Sequence, residues 1–157
     1  MKNSSLIDNG KKSWEWACSH MGIINEIVNQ NINNKPLKGL RLGLSLHVTK
    51  ETSVLVIAAT KLGSKIALCS ANPLSVQEDI AAFLSSEGVN VFAWKDETKK
   101  EYLDNLRQVL EYHPQILTDD GSDLHVMAHN NKNQGILGGT EETTSGITRL
   151  KALEEQG

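Results

Sequence analysis

Three short stretches of the chain collect side chains able to exchange protons or to grip a polar ligand. "LHVTKET", residues 46–52, sets an imidazole, a hydroxyl and a carboxylate at His47, Thr49 and Glu51, a spacing that lets all three face one pocket from a strand-to-helix turn. The same residues also suit a plain helix start, with Thr49 as cap and Glu51 complementing the positive helix end. "TDDGSD", residues 118–123, places Asp119 beside Asp120 ahead of a glycine. Two adjacent carboxylates are costly to bury while both are charged, so the pair suits a metal, a phosphoryl acceptor or a base of raised pKa, or else a solvated turn with an Asp cap. "EETTSG", residues 141–146, puts Glu141 and Glu142 before Thr143, Thr144 and Ser145. Carboxylates at a helix N-terminus repel phosphate but accept hydrogen bonds from the hydroxyl and amino groups of a ribose or an adenine.

These stretches have to be held by a scaffold, and the apolar pattern describes one. "SWEWACSHMGIINEIVNQ", from Ser13 to Gln30, carries Trp14, Ala17, Met21, Ile24 and Val28 at helical spacing and predicts one helix, weakened by Gly22. "NQNINNKPLKG" then has the composition of a loop. Residues 1–36 are thus expected to form an amino-terminal helix and linker, and residues 37–157 the main domain.

Within that domain short apolar runs alternate with helical segments. "LKGLRLGLSLHV", "KIALCS", "VNVFAW" and "QILTDD" predict strands, while "VLVIAATKLGS", "SVQEDIAAFLSSEG", "TKKEYLDNLRQVLEYH" and "TTSGITRLKALEEQ" predict helices. Ser75 with Glu78 three residues on suggests a capped start to the second of these helices. "SDLHVMAHNNKNQGILGG" is the least regular part, expected to hold a short helix, a polar loop and a short last strand. Such alternation implies a mostly parallel sheet covered on both faces, because parallel strands need crossover connections. The expected fold is a doubly wound, Rossmann-like α/β domain of three layers.

In sheets of this kind ligands bind beyond the carboxyl ends of the strands, near the point where strand order reverses. That rule selects His47 and Thr49, then Cys69, Ser70 and Asn72, then Lys95 and Asp96, then Asp119 and Asp120, and last Glu141 and Glu142.

Composition narrows the field. The 157 residues carry a formal charge of −3, with Lys and Arg dispersed among the acids, which argues against a nucleic-acid or anionic-membrane partner. No apolar run is long enough to span a bilayer, and the polar start has no signal-peptide core, so a cytoplasmic protein is expected. Cys18 and Cys69 form no CxxC pair. His20, His113, His125 and His129 show no metal-ligand spacing, and His125 and His129, four apart, lack an apparent third ligand, so no metal is expected. The dinucleotide fingerprint GxGxxG is missing, as are GxSxG, the P-loop and HExxH. Trp14, Trp16 and Trp94 are read as packing residues.

The ordered set "LHVTKET", "NPLSVQED", "VFAWKDET", "TDDGSD" and "EETTSG" resembles the amino-terminal part of the S-adenosylhomocysteine hydrolase family over roughly residues 10 to 150. The resemblance implies reversible hydrolysis of S-adenosylhomocysteine to adenosine and homocysteine with tightly bound NAD, which oxidises the ribose 3′-hydroxyl and so acidifies the C4′ proton. It implies that Thr49, Glu51, Thr52 and Gln77 hold the nucleoside, that His47 serves acid/base work near the 5′ leaving group, and that Asp120 takes part in the C4′ proton chemistry. Glu142 would bind the ribose hydroxyls, and Thr143, Thr144 and Ser145 would face the nicotinamide end of NAD. Val48, Val76, Glu78 and Ser145 depart from the family pattern, Val76 removing one hydroxyl from the adenine pocket, and the loop between Asp123 and Thr140 is shorter.

The family pattern continues beyond Gly157 with further ribose-site residues and an NAD-binding domain. The chain alone is therefore expected to hold about half of an active site, to keep no NAD and to be inactive, with self-association into a homo-oligomer left open. Two other readings remain: a free-standing module that binds adenosine or S-adenosylhomocysteine without catalysis, and a phosphoacceptor domain resting on Asp119 and Asp120.

Overall fold

The structure, a computed structural model, describes residues 2–156. Five strands, β1 (Arg41–Leu46), β2 (Lys65–Ser70), β3 (Asn90–Phe92), β4 (Ile116–Asp119) and β5 (Gly138–Glu141), form one sheet in the order β3-β2-β1-β4-β5. Every neighbouring pair is parallel, with Leu44 opposite Leu68 and Thr118, and Asp119 opposite Glu141. The α/β expectation holds, and the order reverses between β1 and β4.

Among the described residues seven α-helices accompany the strands: α1 (Lys2–His20), α2 (Gly22–Asn31), α3 (Lys50–Lys61), α4 (Glu78–Ser86), α5 (Lys99–Glu111), α6 (Asp123–Asn130) and α7 (Thr144–Glu154). The alternation of side chains along a strand divides the core in two. Leu44, Leu46, Ile66 and Leu68 pack with Val56, Ile57, Ile80 and Leu84 of α3 and α4, whereas Ala67, Cys69 and Leu117 pack with Leu106, Val109 and Leu124 of α5 and α6. Small residues on the second face let α5 come close. A Cβ at Gly43 would stand 2.9 Å from Pro114 Cγ and 3.0 Å from Val109 Cγ1.

Three local expectations are corrected. The amino-terminal helix begins at Lys2, well before Ser13, and breaks at Met21, whose backbone (φ −112, ψ 56) is not helical, so that Gly22 starts a second helix. Ser75 does not cap α4: it ends a 3₁₀ turn, Pro73–Ser75, that Asn72 caps by accepting from Leu74 N, and Gln77 stands at the α4 N-terminus without a side-chain cap. The proline favours the short turn, whose first position needs no N–H. Thr98 and Glu101 form instead a full capping box at α5.

The tryptophans also divide. Trp14 packs on Phe83 at 5.6 Å between ring centroids, but Trp16 is exposed and stacked on His20, with Lys50 Nζ 3.9 Å over its ring, and Trp94 is exposed. Of the three, Trp14 packs against the core as expected. Among the described residues no helix is long and apolar enough to cross a membrane.

Candidate functional site

The turns that follow β1 and β4 flank the point where strand order reverses, and they bring His47 to Asp120. His47 Nε2 lies 3.4 Å from Asp120 Oδ2, while the opposite ring nitrogen, Nδ1, is 2.5 Å from Ser75 Oγ. Ser75 donates its hydroxyl proton to Asn72 O at 2.7 Å, so its oxygen accepts from an Nδ1–H. That choice leaves the Nε2 position facing the Asp120 carboxylate. The site is open as well as ordered, since the His47 side chain is 41% exposed and that of Asp120 17%. Asp120 is held by its backbone, with Asp120 N donating to Ser45 O at 3.0 Å.

Around this pair the β1–α3 turn is braced by its own polar side chains. Thr49 caps α3 by accepting from Thr52 N. Gln77 Oε1 accepts from Lys50 N at 3.0 Å and Gln77 N donates to Val48 O at 2.9 Å, tying the start of α4 to this turn. The side-chain NH₂ of Gln77 remains as a donor. Glu51 is more than half exposed and, among the described residues, pairs only with Lys50 Nζ at 3.9 Å, which leaves acceptor capacity in this turn.

Asp119 and Asp120 part company because successive residues leaving a strand point to opposite sides. Asp119 is fully buried, its Oδ2 accepting from His125 N at 3.0 Å and its Oδ1 from Asp120 N at 3.0 Å. Next to it on β5, the side chain of Glu141 is buried too. Its Oε1 accepts from Gly121 N (2.7 Å), Thr143 N (3.0 Å) and Thr143 Oγ1 (2.8 Å), and its Oε2 accepts from Ser122 Oγ (2.8 Å).

Burial opposes the Glu141 charge, but the backbone N–H groups of Gly121 and Thr143 and the two hydroxyls outweigh it and hold its pKa down at about 2. Gly146 makes room for this carboxylate, since a Cβ there would collide with Oε1, and a Cβ at Gly139 would collide with His125 Nε2. Two glycines of "GGTEETTSG" thus have one purpose each.

The remaining candidates separate clearly. Glu142 N donates to Asp119 O at 3.0 Å, and its exposed carboxylate has no partner among the described residues. Thr143 is the cap of α7, its Oγ1 accepting from Gly146 N at 2.9 Å. Thr144 and Ser145 are exposed at the helix start, Ser145 Oγ donating to Thr143 Oγ1. Lys95 and Asp96 sit exposed in a turn. Cys69 is fully buried, and burial together with the nearby Asp119 raises its thiol pKa, which removes it as a nucleophile.

Sequence reasoning missed three residues. Ser75 was read as a cap, Glu97 was not singled out although its Oε1 accepts from Trp94 N and Ser70 Oγ, and His125 was set aside for want of partners. His125 finds them across the sheet, in Asp119 and Glu141. No local pattern connects those three positions.

The family description "S-adenosyl-L-homocysteine hydrolase" matches residues 1–137. An adenosylhomocysteinase of Sulfurisphaera tokodaii is 53% identical over 158 residues, covering 100% of this chain and 38% of the relative. One from Sulfolobus acidocaldarius is 50% identical over 157 residues, covering 99% of this chain and 38% of the relative. An S-inosyl-L-homocysteine hydrolase of Methanococcus maripaludis is 41% identical over 160 residues, covering 100% of this chain and 39% of the relative. The chain thus spans less than two fifths of the length of these relatives.

Proposed function

The chain belongs to the S-adenosyl-L-homocysteine hydrolase family, and from that premise we propose that it is the nucleoside-binding part of such an enzyme, inactive by itself. The observation that carries the proposal is the His47–Asp120 pair at the reversal of strand order, where ligands of doubly wound sheets bind. An imidazole and a carboxylate that share a proton can deliver it to a leaving sulfur and take one from an acidified C–H. His47 has its tautomer set by Ser75, and Asp120 is the acceptor beside it.

The other residues divide the nucleoside between them. Glu142, exposed and unpartnered, accepts from the ribose hydroxyls. Thr49 and Thr52 shape the turn next to the base, and Gln77 offers it an NH₂. Glu51 discriminates the base, because a free carboxylate accepts from the exocyclic amino group of adenine, whereas hypoxanthine presents an oxygen at that position. This favours an adenosyl over an inosyl substrate, a distinction that matters because relatives with both names are similar to this chain.

NAD, when bound in an enzyme of this family, supplies hydride exchange at the ribose 3′-carbon. The residues here that fit its approach are Thr144 and Ser145, exposed at the α7 N-terminus; the Thr143 hydroxyl is committed to Glu141 and Gly146. These side chains would meet one end of such a cofactor and offer nothing to its phosphates.

Calorimetry tests the proposal. The chain should bind adenosine saturably and weakly, with Kd between about 1 mM and about 1 µM, roughly −4 to −8 kcal/mol, and should convert no adenosine plus homocysteine when NAD is added. Absence of saturable nucleoside binding sinks the binding role, and turnover sinks the claim that the chain is inactive by itself.

A further inference from the structure

Behind the nucleoside site lies a second cluster that the proposed reaction does not use. Asp119, His125 and Glu141 each offer one ligand atom, and the three atoms lie within 4.8 Å of one another. His125 Nδ1 is 3.3 Å from Asp119 Oδ2 and 3.8 Å from Glu141 Oε2. Both carboxylates are almost wholly buried, with side-chain exposures of 0% and 1%.

His125 Nδ1 is itself out of contact with solvent and makes no hydrogen bond. Asp119 Oδ2 is near enough to accept from this nitrogen but lies off its N–H axis, and Glu141 Oε2 is too far to accept. Such offset neighbours are what ligand atoms around a common centre look like. At zinc–ligand bonds of about 2.0–2.2 Å, tetrahedral neighbours stand roughly 3.3–3.6 Å apart; the His125–Asp119 separation of 3.3 Å lies in that range and the His125–Glu141 separation of 3.8 Å just above it.

Charge and coordination chemistry point the same way. Arg149 is directed elsewhere, to Asp123 Oδ1 and to the carbonyl of Gly121, and no Lys or Arg forms an ion pair with Asp119 or Glu141 among the described residues. The outer oxygens are already oriented: Asp119 Oδ1 by Asp120 N, Glu141 Oε1 by Gly121 N and Thr143. Hydrogen bonds to the oxygens facing away from the ion fix carboxylate ligands in metal sites. The facing oxygens, Asp119 Oδ2 and Glu141 Oε2, each accept one hydrogen bond and retain a lone pair. The other side of the His125 ring lines a cavity of about 550 Å³ with His129, Lys132 and Ile136.

We propose that Asp119 Oδ2, His125 Nδ1 and Glu141 Oε2 bind one divalent transition-metal ion of the Zn²⁺ type, with Ser122 Oγ or a water as fourth ligand. One imidazole and two carboxylates suit Zn²⁺ or Co²⁺ and not the all-oxygen preference of Mg²⁺. The ion joins the β4–α6 turn to the β5–α7 turn and so fixes the backbone that carries Asp120 and Glu142. Its role is structural, and it does not depend on the reaction proposed above.

The test uses the tag-free chain, stripped with a chelator and titrated with Zn²⁺ and with Co²⁺. The expected result is one ion per chain, a rise in Tm, and for Co²⁺ the strong visible absorption of a four-coordinate site. His125→Ala should weaken binding at least about tenfold, while His129→Ala, in the same cavity, should leave it unchanged. Equal affinity of wild type and His125→Ala overturns the proposal, as does the lack of stoichiometric binding at about 100 µM metal. Should His125→Ala fail to fold, X-ray absorption of the wild-type Zn²⁺ form decides: one imidazole with oxygen neighbours supports the site, and two or more imidazoles, or any thiolate, overturn it.

Discussion

His47 Nε2 and Asp120 Oδ2 meet at 3.4 Å although they leave different strands, β1 and β4. Their meeting follows from strand order, because β1 and β4 are paired in register, Ser45 opposite Asp119, and each residue sits just past its strand. The juxtaposition of the two side chains is therefore a property of the sheet.

The pair should be measurable without any ligand. A double-mutant cycle with His47→Asn and Asp120→Asn, followed by urea unfolding at pH 6, should give a coupling of about 0.5–1 kcal/mol, the range for partly exposed ion pairs. A coupling indistinguishable from zero would show that the two side chains do not interact in solution.

Glu141 should make stability fall in acid. Its pKa is depressed from 4.5 to about 2, so the stabilisation is complete above the unfolded value and is lost as pH drops from about 4.5 through about 2. The two limits correspond to at most about 3 kcal/mol. In the presence of a chelator, Glu141→Gln should be less stable at pH 7 and should show a flatter pH profile over that window. Parallel profiles for the two proteins would contradict the hydrogen-bonded carboxylate.

Base preference should reside in Glu51. The wild-type chain is expected to bind adenosine about tenfold more tightly than inosine, about 1.4 kcal/mol, and Glu51→Gln should narrow the gap because an amide can also donate to the hypoxanthine oxygen. Competition calorimetry reads both affinities. If the ratio is unchanged by the substitution, another residue reads the base.

Helix α1 should behave as part of the same folding unit. Gly10 lies against α4 so closely that a Cβ would collide with the Asp79 carbonyl oxygen, and Ser13 Oγ donates to Asp79 Oδ2 at 3.3 Å. Gly10→Ala should cost about 1–3 kcal/mol by overpacking, in a single cooperative transition. Loss of α1 signal at lower denaturant than the sheet would instead make it a separate unit.

Much of the fold, and the sheet edge at which the candidate residues gather, was legible in the sequence, for a physical reason. Hydrophobic periodicity and caps are local, so "KIALCS" and "TKKEYLDNLRQVLEYH" declared a strand and a helix, and a parallel α/β sheet sends every strand end to one edge. Where local signals compete the reading erred. Ser75 resembled a cap, but Asn72 and Pro73 formed their own turn first, and that turn delivers Ser75 to His47.

The sequence by itself determined the kind of fold, the edge at which the chemistry gathers and the residue types present there. Only the tertiary structure decided which neighbours act together. Asp119 and Asp120 are adjacent and alike in sequence, yet strand alternation turns one toward His125 and Glu141 and the other toward His47. That division rests on pairing between segments far apart in the chain, and no spacing within either segment encodes it.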